Sequence, residues 1–133
     1  MAKVLIKADS KFPVNRKRIR QLVNRVLKDK GIKSEAMVSI LMVGNRKMTS
    51  LHKLYKKEQG TTDVLSFPYS TMDKSASTPG FITPDEEGLM LGDIVVSFPE
   101  ARRQARVKNK LVDDQIDFLI EHGLHHLLGI HHD

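Results

Sequence analysis

The sequence contains no cysteine and no tryptophan, and only two tyrosines. Without cysteine there are no disulfides and no thiolate metal ligands, and nothing points to an oxidising compartment. With so few large aromatic side chains, base stacking is expected to be a small part of any nucleic-acid recognition. That leaves the phosphate backbone and overall shape. Long apolar runs are missing too. Val4-Leu5-Ile6 near the N-terminus is too short for a signal peptide or a membrane span. The expected location is therefore the cytoplasm, with no membrane partner. No repeat and no linker divides the 133 residues, so a single domain over 1–133 is expected.

Apolar residues make up 40% of the chain, enough to build a core. Lys and Arg total 22 against 16 Asp and Glu, a net charge of +6. A basic balance suits a polyanionic partner such as nucleic acid, and equally suits a soluble protein with a basic surface.

The apolar periodicity orders the elements. Val4-Leu5-Ile6 reads as a short strand. Asn15 is a good helix N-cap, and Ile19, Leu22, Val23, Val26 and Leu27 then recur at helical spacing until Gly31. The opposite face carries Arg16, Lys17, Arg20, Asn24 and Lys28. Ala36 to Val43 reads as a largely buried strand. Asn45 caps a second helix with Met48, Leu51, Leu54 and Tyr55 as its inner face. Thr61 to Pro68 is a third strand, and residues 69–88 form a long polar loop. Leu91 to Ser97 is a fourth strand. Pro99 opens a helix that continues through Ala101, Ala105 and Val107, crowded by Arg102, Arg103, Arg106, Lys108 and Lys110. A longer helix spans Leu111 to Leu128, with Val112, Ile116, Leu119 and Ile120 packing inward.

Five of the six histidines fall between His122 and His132. His122 and His126 are four apart, about 40° around a helix and one turn along it, so their imidazoles can share one metal ion. Gly129 is expected to end the helix and let the chain return with His132 as a third ligand. Three neutral imidazoles suit zinc and leave a tetrahedral position open. The spacing equals that of the zinc-protease signature H-E-x-x-H-x-x-G-x-x-H, in which the Glu is the general base. Here Gly123 occupies that position. A glycine takes no proton, which argues against peptide hydrolysis.

Three blocks stand together: Thr62-Asp63-Val64-Leu65-Ser66-Phe67-Pro68, Leu91-Gly92-Asp93-Ile94, and the histidine block. In this order they resemble the YbeY family of bacterial rRNA maturation factors, which are metal-dependent single-strand endoribonucleases. The resemblance implies an α+β fold, a mixed four-stranded sheet packed with about four to five helices, like that of zinc metallohydrolases. It also implies one zinc ion on His122, His126 and His132, and processing of the 3′ end of small-subunit ribosomal RNA. Ribosomal RNA, ribosomal subunits and a ribosome-assembly GTPase are the partners it implies. The family usually reads H-G-x-L-H-L-x-G-Y-D-H. In this chain His125, Ile130 and His131 replace Leu, Tyr and Asp. His131 and Asp133 are therefore further candidates beside the metal. The family arginine after the second-helix tyrosine is matched by Lys56, which lacks arginine's bidentate reach toward phosphate. Lys56 is the candidate for electrostatic catalysis, and Lys57, Arg102, Arg103 and Arg106 are candidates for holding RNA. The alternatives are an assembly factor with a structural metal and, less favoured, a small metalloprotease.

Overall fold

The structure, a computed structural model, describes residues 2–32, 35–54, 63–68 and 89–131, with the backbone alone for 89, 130 and 131. Among them, strands β1 (Ala2–Ala8), β2 (Ala36–Val43), β3 (Val64–Pro68) and β4 (Leu89–Ser97) form one mixed sheet in the order β1-β2-β4-β3. The β1–β2 and β2–β4 pairs are parallel, and β3 runs antiparallel to β4 at the edge. Helices α1 (Arg16–Asp29), α2 (Asn45–Leu54), α3 (Phe98–Val107) and α4 (Val112–His131) complete the α+β fold.

The sheet has apolar side chains on both faces because helices cover both. Val38, Ile40, Ile94 and Val96 point to the face that packs α1, α3 and α4. Leu41, Leu65, Phe67 and Val95 meet Met48 and Leu51 of α2 on the other. The expected inner face of α1 is buried throughout, and the Asn15 side chain accepts the Arg18 N–H at its N-terminus. Its basic face is partly structural. Arg16 donates to the Ile6 carbonyl, and Asn24 accepts the Ala2 N–H, so both pin strand β1. Ser97 caps α3 by accepting the Glu100 N–H, and its hydroxyl donates to Asn45 Oδ1.

Two expectations fail. Leu54 is expected on the inner face of the second helix, but it is 68% exposed. It sits in the last turn of α2. Gly129 does not end α4, which runs through it to His131 without a positive φ. Burying Leu124, Leu127 and Leu128 contributes roughly 1.5–3 kcal/mol each. That outweighs the cost, about 1 kcal/mol, of one glycine inside a helix. The 69–88 loop lies outside the described residues, as does Tyr55. No helix among the described residues is long and apolar enough to cross a membrane.

Candidate metal centre

Helix α4 lies against β3 and β4 with Ile116, Leu119, Ile120, Gly123, Leu124, Leu127 and Leu128 buried. Its solvent stripe is Phe118, His122, His125 and Gly129. His126 is half-buried at the margin of that stripe. The two flanks of the helix have different neighbours. On one, Arg18 of α1 reaches Asp114 Oδ1 at 2.5 Å and Asp117 Oδ2 at 2.7 Å, and Arg25 lies 3.7 Å from Glu121. Burial pushes the Asp117 carboxyl above its ordinary value, and the Arg18 guanidinium opposes that shift without overcoming it.

On the other flank, Gln115 Nε2 donates to Gln104 Oε1 of α3 at 2.6 Å, and Gln104 Nε2 donates to Asp63 Oδ2 at 2.9 Å. The carboxylate can only accept, so it fixes both amide orientations in turn. His126 lies three turns on from Gln115 and about 20° from it around the axis. The His122–His126 pair therefore sits on the flank that faces α3 and the start of β3, away from α1. His125 turns the other way, with Nε2 3.9 Å from Glu121 Oε2.

Gly123 explains why the base of the zinc proteases has no counterpart here. A Cβ at this position would lie 2.9 Å from Ile94 Cγ2 and 3.1 Å from Ser66 Oγ. Ile94 is fully buried. The position faces the sheet, so a glutamate could neither fit there nor reach the histidine pair. Glycine lets helix and sheet approach closely enough for the Ser66 hydroxyl to donate to the Gly123 carbonyl at 3.5 Å.

Beneath the helix, the Leu91-Gly92-Asp93-Ile94 block forms a β-bulge. The register with β2 steps from Met37↔Met90 to Val38↔Gly92, so Leu91 is the extra residue of the bulge, and Gly92 takes φ 140. The bulge turns Leu91 to the same face as Ile94 and Val96. Asp93 then pairs with Ser39 across the strands and accepts its hydroxyl hydrogen bond. Asp93 is 2% exposed. Burial pushes its carboxyl up from 3.8 to about 6, and the Ser39 bond acts in the opposite direction. Neither Asp93 nor Asp63 was singled out as a site residue from the sequence. The available signal was a charged residue in each of two apolar strand motifs.

The other candidates divide as follows. Lys56, Lys57, His132 and Asp133 lie outside the described residues, and of His131 only the backbone is described. Arg103 is bound by Glu100 one turn away, and that pairing lowers the Glu100 carboxyl. The Arg102 guanidinium lies 5.8 Å from the Phe98 ring centroid. Arg106 is exposed. Among the described residues no group of three or more potential ligands gathers around one point. What they supply is two imidazoles one turn apart, clear of the acidic flank. That donor set suits a two-point zinc chelate open to a third ligand.

Comparison with known proteins settles the family. The model of the family described as endoribonuclease YbeY matches residues 5–133. The chain belongs to the YbeY family. The endoribonuclease YbeY of Acidothermus cellulolyticus is 36% identical over 129 residues, covering 97% of this chain and 78% of the relative. That of Thermobifida fusca is 36% identical over 124 residues, covering 93% and 77%. An Anaeromyxobacter YbeY is 37% identical over 101 residues, and the match spans about half of that relative's length, 46%. A solution structure from Thermotoga maritima superposes with a TM-score of 0.56 at 19% identity, covering 94% of this chain and 71% of that one. At that identity it supports the fold alone. Within the YbeY framework, Val64–Pro68 of the TDVLSFP segment is β3, with Asp63 as the anchor just before it, and LGDI is the bulge of β4.

Proposed function

We propose that this YbeY-family chain is a zinc-dependent, single-strand-specific endoribonuclease. Its proposed task is maturation of the 3′ end of small-subunit ribosomal RNA and ribosome quality control in the cytoplasm. Its partners are ribosomal RNA, ribosomal subunits and a ribosome-assembly GTPase. The observation that carries this reading is the His122–His126 pair, held one turn apart on the open flank of α4 in a chain whose relatives are named endoribonucleases.

His122, His126 and His132 would hold the ion. When bound, zinc supplies Lewis-acid chemistry: it polarises a phosphoryl oxygen and acidifies water. The rest falls to the chain. Lys56 offsets negative charge that builds on the scissile phosphate. Lys57 and the exposed α3 arginines, Arg106 foremost, hold the backbone, so binding weakens as salt rises. Arg103 enters only by leaving Glu100. The Gln115–Gln104–Asp63 chain fixes the azimuth of α4 and with it the direction of the imidazoles. Gly123 keeps the helix seated and takes no part in proton transfer. The nucleophile is then water or the RNA's own 2′-hydroxyl.

The test compares wild type with Lys56→Ala and Lys56→Arg on single-stranded and duplex RNA. Cleavage confined to single strands, reduced by Ala and restored by Arg, supports the reading. RNA-inert wild type that retains its metal supports a structural ion in an assembly factor instead.

A further inference from the structure

The turn between α3 and α4 is a Schellman motif. Lys110 N–H bonds the Ala105 carbonyl, Asn109 N–H bonds the Arg106 carbonyl, and Asn109 takes φ 55. This turn brings Lys108 and Lys110 back over one ring. Their ammonium groups lie 5.1 and 5.3 Å from the centroid of Phe118. Phe118 is 53% exposed on α4. It precedes His122 by one helical turn, about 6 Å along the axis and about 40° around it.

A lone exposed phenylalanine is unremarkable. This one combines a half-exposed ring, two cations brought over it by the turn, and continuity with the histidine stripe. A single-stranded nucleic acid offers the complement of all three: a base for the ring, phosphates for the ammonium groups, and a chain that runs along the helix.

We propose that Phe118, Lys108 and Lys110 form a nucleotide platform beside the candidate metal centre. The base stacks on Phe118, each lysine exchanges the ring for a phosphate oxygen, and the strand passes toward His122. The proposal rests on the ribonuclease reading above and assigns substrate positioning to three residues outside the histidine site. It also gives stacking a larger role than the scarcity of aromatics suggests.

The test is fluorescence anisotropy with labelled decauridine and with inorganic polyphosphate, on wild type, Phe118→Ala, Phe118→Trp and Lys108→Ala/Lys110→Ala. Thermal melts confirm that each variant folds. Phe118→Ala is expected to weaken decauridine binding about tenfold, the scale of one base–aromatic stack, and to leave polyphosphate binding unchanged. Phe118→Trp is expected to bind decauridine at least as tightly as wild type. The double lysine variant is expected to weaken both ligands and lower the salt slope for decauridine by about 1.4. Wild type that binds decauridine no better than Phe118→Ala overturns the platform and leaves the ribonuclease reading standing. Wild type that binds no RNA overturns both. Binding of an acidic polypeptide such as polyglutamate that is lost in Phe118→Ala, with RNA binding unchanged, reassigns the surface to a protein partner.

Discussion

Gly123 and Ile94 are packed so closely that a Cβ on the glycine would stand 2.9 Å from the isoleucine Cγ2. This contact seats the histidine helix on the sheet. Gly123→Ala gains about 1 kcal/mol in helix propensity but overpacks the contact with Ile94 and Ser66, at a cost of ~1–3 kcal/mol. The expected outcome is a net loss of stability, on the order of 1 kcal/mol. Gly123→Glu, which would recreate the zinc-protease sequence, is expected to unfold the protein rather than to create a protease. Chemical denaturation of both variants checks this.

Asp93 makes stability depend on pH. Its folded carboxyl sits at about 6 against an ordinary 3.8, so the folded state binds the proton more tightly than the unfolded one. Its contribution is fully present below pH ~4 and is lost as pH rises through about 6. Asp93→Asn keeps an acceptor for Ser39 and carries no charge. Thermal melts between pH 4 and 7 are expected to show a falling contribution in wild type that the variant lacks, with the variant more stable at pH 7 by roughly 1–3 kcal/mol.

Much of this was legible in the sequence, for identifiable reasons. The core face of α1 follows from the spacing of Ile19, Leu22, Val23, Val26 and Leu27, all of which are buried. The cap at Asn15 follows from a side chain that accepts a backbone N–H bond, and the start of α3 follows from Pro99 in its first turn. The histidine pair follows from i, i+4 geometry. The role of Gly123 did not follow, because a sequence shows that glycine has no side chain but not what stands opposite it. The Asp93–Ser39 bond depends on a bulge that shifts the register by one residue, and apolar alternation does not reveal such a shift. The Gln115–Gln104–Asp63 chain joins two consecutive helices to a residue 41 positions upstream of Gln104, so no local pattern announces it.

Gly129 bears directly on the proposed third ligand, His132. On a straight helix His132 would lie about 240° around the axis from His126, facing away from the pair. Since α4 runs helical through Gly129, binding one ion with all three histidines requires the last turn to open. A Cβ at Gly129 would meet nothing within 4 Å, so Gly129→Ala is sterically free. It favours the helix by about 1 kcal/mol and disfavours a left-handed break by ~1–2 kcal/mol. Zinc affinity, measured by competition with a chromogenic chelator, is expected to fall about tenfold or more while thermal stability without metal rises. Unchanged affinity would mean that the ion is held without a break at this glycine.

The most direct measurement is zinc content, by elemental analysis, together with single-stranded RNA cleavage for wild type and for His122→Ala, His126→Ala and His132→Ala. Circular dichroism confirms the fold of each. The expected result is one zinc per wild-type chain with RNA cleavage, and loss of both in each folded variant. Folded variants that keep wild-type zinc content and still cleave RNA would contradict a three-histidine metal centre as the source of the activity.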